Sequence, residues 1–157
     1  MQLVDSGIKA TQPAPLRLVK SGREYFSLLE QIILEAEKKL HLQIYIFEDD
    51  ETGQKIAQAL IAAVKRGVKV FLVADGYASQ NLSASFIDHL RSAGIHFRFF
   101  NPLLKSKFFY FGRRMHHKVV VADGNKALVG GINFSNNYND TLGSSAWLDL
   151  VKWMFSF

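Results

Sequence analysis

The residues best equipped for chemistry lie together in one segment, Met115-His-His-Lys-Val-Val-Val-Ala-Asp-Gly-Asn-Lys-Ala-Leu-Val-Gly-Gly-Ile-Asn133. His116 and Lys118 are two residues apart in an apolar run, so an extended strand points both to one face. A His and a Lys side by side are a poor choice for a core, because burying an unpaired charge costs several kcal/mol. A phosphate at that spot would remove the cost and make Lys118 a charge clamp. Gly130 and Gly131 let a backbone or ligand approach closely, and Asn133 adds an amide donor and acceptor just beyond the strand. His117 points to the other face with Val119 and Val121, and reads as a neighbour packing or hydrogen-bonding behind the strand.

The charge balance leads to the same region. Lys and Arg number 19 and Asp and Glu 14, a formal charge of +5. Lys105, Lys107, Arg113, Arg114 and Lys118 fall in residues 101–122, where there is no acid, and these five equal the whole excess. The basicity is therefore a local patch suited to an anionic partner: phosphate, nucleic acid or a lipid headgroup. Phe108, Phe109, Tyr110 and Phe111 interleave with it. Rings beside cations suit a membrane interface, and equally base stacking on single-stranded nucleic acid. The chain has no cysteine, which excludes disulfides, cysteine metal sites and thiol nucleophiles. No apolar run reaches the roughly 18–20 residues of a membrane span, and the first residues lack a secretory pattern. A lipid would have to be met from the surface.

These side chains need a scaffold, and 157 residues with 48% hydrophobic content can build one domain without staples. Residues 1–14 read as a loose leader closed by prolines, and 15–157 as one domain. Ser21-Gly-Arg-Glu24 matches a capping box, followed by apolar residues at helical spacing through Leu40. His41–Phe47 reads as a strand ending in the acidic turn Glu48-Asp-Asp-Glu51, with Thr52 placed to cap the next helix. That helix stops at Gly67. Val68–Ala74 is a near-continuous apolar strand, then come a short helix around Ser85–Ala93 and a strand over Ile95–Phe100. His116–Ala122 and Lys126–Ile132 read as strands joined across Asp123-Gly124. The alternation predicts an α/β fold, a mixed β-sheet sandwiched between helices.

The segment resembles the phospholipase D superfamily, whose signature is His-x-Lys-x4-Asp-x6-Gly-[Gly/Ser]-x-Asn. It is met at His116, Lys118, Asp123, Gly130, Gly131 and Asn133. The Gly-Gly form, the His-His-Lys start and the strand end Tyr45-Ile-Phe-Glu-Asp-Asp are similar to the bacterial cardiolipin synthase branch, over roughly residues 15–150. The resemblance implies a phospholipase D-like domain and a two-step phosphoryl transfer. His116 would form a phosphohistidine, Lys118 and Asn133 would hold the phosphate oxygens, and Asp123 would orient or balance the histidines. Gly130, Gly131, Lys105, Lys107, Arg113 and Arg114 would meet substrate, and Glu48 or Asp49 at the strand end would line the entrance. From the residues alone, that acidic turn reads as a helix N-terminus favoured by the helix dipole. The implied chemistry needs no metal or other cofactor.

The departure is the count: such enzymes use two motifs and this chain has one. His41, His89 and His96 read as structural, and no second signature follows His96-Phe-Arg98. Either two copies pair, or a second half completes the site. Trp147-Leu-Asp-Leu150 resembles the strand that follows the first motif in the cardiolipin synthase branch, after which Val151–Phe157 reads as a broken end or a dimer edge. The expected function is phosphatidyl transfer between phosphatidylglycerol molecules, at a bacterial membrane met peripherally from the cytoplasm. The alternatives are a homodimeric nuclease and an inactive half that binds anionic membranes.

Overall fold

A computed structural model describes residues 17–102 and 114–140 with their side chains, and the backbone of 152–156. The expected leader, most of the basic aromatic loop and the Trp147–Leu150 strand lie outside the described residues. The elements follow in the order β1 (Arg17–Val19), α1 (Gly22–Glu35), β2 (Lys39–Ile44), α2 (Glu51–Lys65), β3 (Lys69–Asp75), α3 (Ala84–Ser92), β4 (His96–Phe100), β5 (Val119–Ala122), β6 (Lys126–Val129) and β7 (Lys152–Ser156). A short 3-10 turn spans Asn136–Tyr138.

The strands form one mixed sheet in the order β1-β7-β6-β5-β2-β3-β4. β2, β3 and β4 are parallel and joined by helices, as βαβ units require. β5 runs antiparallel to both β2 and β6. β7 lies between β6 and β1, antiparallel to each.

Alternation sets the layers. On β2, Leu40, Leu42 and Ile44 are buried while Lys39, His41 and Gln43 are exposed. In register beside them lie buried Val70, Leu72 and Ala74 on β3, and Val120 and Ala122 on β5. This face joins Leu29, Ile32 and Ile33 of α1, Ile56 and Leu60 of α2, and Phe86 and Leu90 of α3 in one core. The second helical layer expected on the opposite face is not among the described elements. No helix of the described residues is long and apolar enough to cross a membrane.

The helix caps read largely as expected, but α1 ends at Glu35 and Leu40, read at helical spacing, belongs to β2. Ser21 caps α1 through the Glu24 N–H, and Ser83 caps α3. For α2 the cap is Asp50, whose side chain accepts from Gly53 N–H. Thr52, expected in that role, lies buried inside the first turn and accepts from the Asn139 amide at 3.0 Å. The aspartate wins because its carboxylate reaches two places at once: Oδ1 caps the helix and Oδ2 takes the N–H of Asn136.

Candidate active site

The path into β5 is fastened before the first reactive residue. Met115 is buried, and its N–H donates to Asp75 Oδ2 at 3.0 Å. Asp75, at the end of β3, has no exposed surface. Its Oδ1 accepts from the N–H groups of Tyr77 and Ala78 at 3.0 and 3.1 Å, closing a side-chain turn. Three N–H donors and the Arg114 guanidinium at 3.8 Å make a buried carboxylate tolerable there. Gly76 belongs to the same turn because a Cβ would lie 2.7 Å from Pro102 Cα.

Beyond this anchor, His116 is exposed and Lys118 is 3% exposed. Formal strand pairing begins only at Val119, but the two side chains share a face, as the two-residue spacing predicts. Lys118 Nζ is 3.1 Å from His116 Nε2 and 3.4 Å from Nδ1. The Tyr45 ring touches both: its centroid is 5.0 Å from Nζ and 4.7 Å from the imidazole centroid. An ammonium is thus held under a solvent-facing imidazole, against an aromatic face. A phosphate oxygen drawn to Nζ would arrive beside the ring nitrogens.

The other end of the motif folds back onto the exit of β2. Asn133 is 2% exposed, and its Oδ1 accepts the Ile46 N–H at 3.0 Å. Phe134 N–H donates to Ile46 O, and Glu48 N–H to Phe134 O, each at 3.0 Å. The Asn133 amide carbonyl is therefore used structurally, and its NH2 is the half that can donate to a phosphate oxygen. Gly130 N–H donates to the carbonyl of Lys118 at 3.0 Å, extending the β5–β6 ladder to that lysine, with Gly131 following it. Ser79, 1% exposed, ties this corner to the β3 turn: its hydroxyl accepts from Phe47 N–H at 3.0 Å and donates to Tyr45 O at 3.1 Å.

Asp123 does not join this group. It follows the far end of β5, five residues from Lys118, which is about 16 Å along an extended strand. Its carboxylate accepts the N–H groups of Glu37, Lys38 and Lys39 at 2.9, 2.8 and 2.7 Å. Partial desolvation pushes the carboxyl up, but those donors and the Lys38 charge outweigh it and hold Asp123 below the usual carboxylate range. The expectation that Asp123 orients or balances the histidines is corrected: one strand length separates them.

The remaining candidates divide. His117 Nδ1 is 3.2 Å from Gln43 Oε1, on the side away from Lys118. Glu48 Oε2 accepts from Ser135 Oγ at 2.5 Å, bracing the end of the motif. Asp49 accepts from Gln54 and from Ser83 Oγ, the latter at 2.7 Å, and so links α2 to α3. Arg114, expected to meet substrate, is half-buried over the Tyr77 ring at 5.1 Å and donates to Asn101 O at 3.2 Å. That corrects its role toward the Asp75 anchor. His41 and His96 stack on either side of Phe71 at 4.8 Å each, as structural residues. Lys105, Lys107 and Arg113 lie outside the described residues. Sequence reasoning passed over Asp75, Ser79 and the ring of Tyr45; the one available signal was a lone acid closing an apolar strand.

The mixed sheet with its helices is an architecture shared with solved structures. Nuc from Salmonella typhimurium, described as a phospholipase D family member, superposes with a TM-score of 0.67 at 22% identity, over 93% of this chain and 85% of that one. Phosphatidylserine synthase from Haemophilus influenzae superposes at 0.69 and 17% identity, over 90% of this chain and 33% of that one. At these identities the likeness shows the fold. The sequence goes further: residues 29–144 match the family model described as cardiolipin synthase, PLD-like domain, and the chain belongs to that family. Cardiolipin synthase B of Salmonella typhi is 37% identical over 139 residues, which cover 85% of this chain and 33% of the relative. The chain thus spans about a third of the length of the curated relatives it matches.

Proposed function

We propose that this chain is one catalytic half of a phosphatidyl-transferring enzyme of cardiolipin synthase type. The observation that carries the reading is the buried Lys118 ammonium 3.1 Å from the exposed His116 imidazole. A cation so placed gathers a phosphodiester and neutralises charge that builds on its oxygens. His116 attacks phosphorus, a P–N bond forms, and the P–O bond to the leaving glycerol breaks. A histidine of a second motif protonates that oxygen, then takes the proton of the incoming hydroxyl as it displaces His116. The second motif comes from another copy of this chain or from a further segment. Two phosphatidylglycerol molecules would give one cardiolipin and one glycerol, at an anionic membrane met peripherally. Asn133 Nδ2 is the further donor to the phosphate oxygens, and the basic loop receives the headgroup.

The test is a vesicle assay with phosphatidylglycerol on the full-length protein. Cardiolipin should form, and His116→Ala should lower turnover at least ~10⁴-fold, since a lone nucleophile removal has effects of that order. A 32P-labelled, acid-labile adduct should map to His116. Neither cardiolipin nor phosphatidic acid forming would sink the reading. A second reading is a homodimeric nuclease, in which two copies of this chain each bring the one motif that the sequence carries. Metal-independent cutting of single-stranded DNA by a dimer, lost in His116→Ala, would replace the first reading. Vesicle binding with neither activity would leave an inactive membrane-binding half.

A further inference from the structure

We infer that Tyr45 is a positioning residue of this site: the face of its ring holds Lys118 and His116 in register, and its hydroxyl is dispensable. The inference rests on the phosphohistidine reading above. Tyr45 lies just past β2, and its ring meets the lysine at 5.0 Å and the histidine at 4.7 Å. The lysine lies over the face of the ring and the imidazole leans on it at an interplanar angle of 57°, and among the described residues no hydrogen bond of the Tyr45 hydroxyl marks it as the working group. Lys118 is almost wholly removed from water. An ammonium in that position loses hydration, and an aromatic face is one of the few apolar surfaces that attracts it. An aliphatic side chain of similar size would fill the space and return none of that attraction.

The backbone around Tyr45 is built to hold the ring still. Ser79 Oγ accepts from Phe47 N–H and donates to Tyr45 O, so one buried hydroxyl grips both sides of Ile46. Ile46 N–H is held by Asn133 and its carbonyl by Phe134 N–H. The Ser79 turn begins at Asp75, which anchors Met115 directly before His116. Both partners of the contact, ring and imidazole, are thus referred to the same five-residue turn, Asp75–Ser79.

The test compares Tyr45→Phe with Tyr45→Leu in the full-length protein, using phosphatidylglycerol vesicles, with acylation of Lys118 by an amine-reactive ester as a readout that needs no activity. Tyr45→Leu should lower kcat about tenfold, the rate equivalent of ~1.4 kcal/mol, with KM changed less than about threefold. Tyr45→Phe should restore most of that loss. Lys118 labelling, followed by mass spectrometry, should rise severalfold in Tyr45→Leu alone. Equal kcat in the Leu and Phe variants, or unchanged labelling in the Leu variant, overturns the inference. So does a Phe variant as impaired as the Leu variant, since that would make the hydroxyl the working group. Activity retained by His116→Ala would instead overturn the underlying reading, and the labelling result would still report on the Tyr45 contact.

Discussion

The two ends of β5 carry residues of one motif and use them in opposite ways. At the leading end, Lys118 is buried beside an exposed His116, with an aromatic face and an imidazole for company. At the trailing end, Asp123 is saturated by three backbone N–H donors from the α1–β2 connection. One end sets a charge beside an exposed imidazole; the other spends its charge on holding the chain. The difference teaches that a signature can join a site to the latch that keeps its strand in place. Neighbourhood in sequence is then no guide to neighbourhood in space.

The sharpest way to break that comparison is at the leading end. Lys118→Met removes the ammonium and keeps most of the volume. Activity should fall about 10³-fold, as for loss of a charge-stabilising group in a water-poor site. Stability should change far less than activity, because methionine keeps most of the buried volume. Thermal unfolding beside the vesicle assay checks both. A marked loss of stability would mean that Lys118 serves the fold as Asp123 does.

Next in size is Asp75, which stands outside the motif and yet nearer to the chemistry. Asp75→Asn is nearly isosteric, but its NH2 would face the Met115 N–H, donor against donor, in a fully buried place. We expect a loss of ~2–3 kcal/mol of stability, the cost of an unsatisfied buried pair, and slower turnover in the folded fraction. Urea unfolding and an activity assay corrected for folded protein separate the two. Unchanged turnover would show that the approach to His116 does not depend on this anchor.

Asp75 and Asp123 also show how much was legible beforehand. The helices were readable from spacing and caps, because Ser21, Ser83 and the apolar positions of α1 obey local rules. The His116–Lys118 pairing was readable because a period of two is a property of any extended segment. Asp123 misled because the signature is linear, and only the ~3.3 Å rise per strand residue sets it apart from His116. Asp75 was hidden because its partner, Met115, lies 40 residues away and meets it only through the packing of the β3 turn against the approach to β5. The place of β7 between β1 and β6 is likewise a long-range pairing that no local pattern announces. Tyr45 looked like one more strand aromatic, since nothing in its neighbours reveals which ring a distant lysine will meet.

The smallest expected effect tests the trailing end by its pH dependence. Asp123→Ala removes the acceptor of three N–H groups, and for a partly solvent-exposed carboxylate the loss should be ~1–2 kcal/mol after solvent screening. Turnover of the folded protein should stay near that of the parent, in contrast to Lys118→Met. The sign of the pH effect follows from the depressed carboxyl. A group with a lower affinity for protons in the folded state adds stability above its unfolded value, near pH 3.9, and loses it as pH falls through the folded one. The parent should therefore lose stability on acidification below about pH 4 more steeply than Asp123→Ala, and the two unfolding curves should converge at low pH. Parallel curves over that range would remove the latch, and an Asp123→Ala protein that is folded but inactive would return Asp123 to the site.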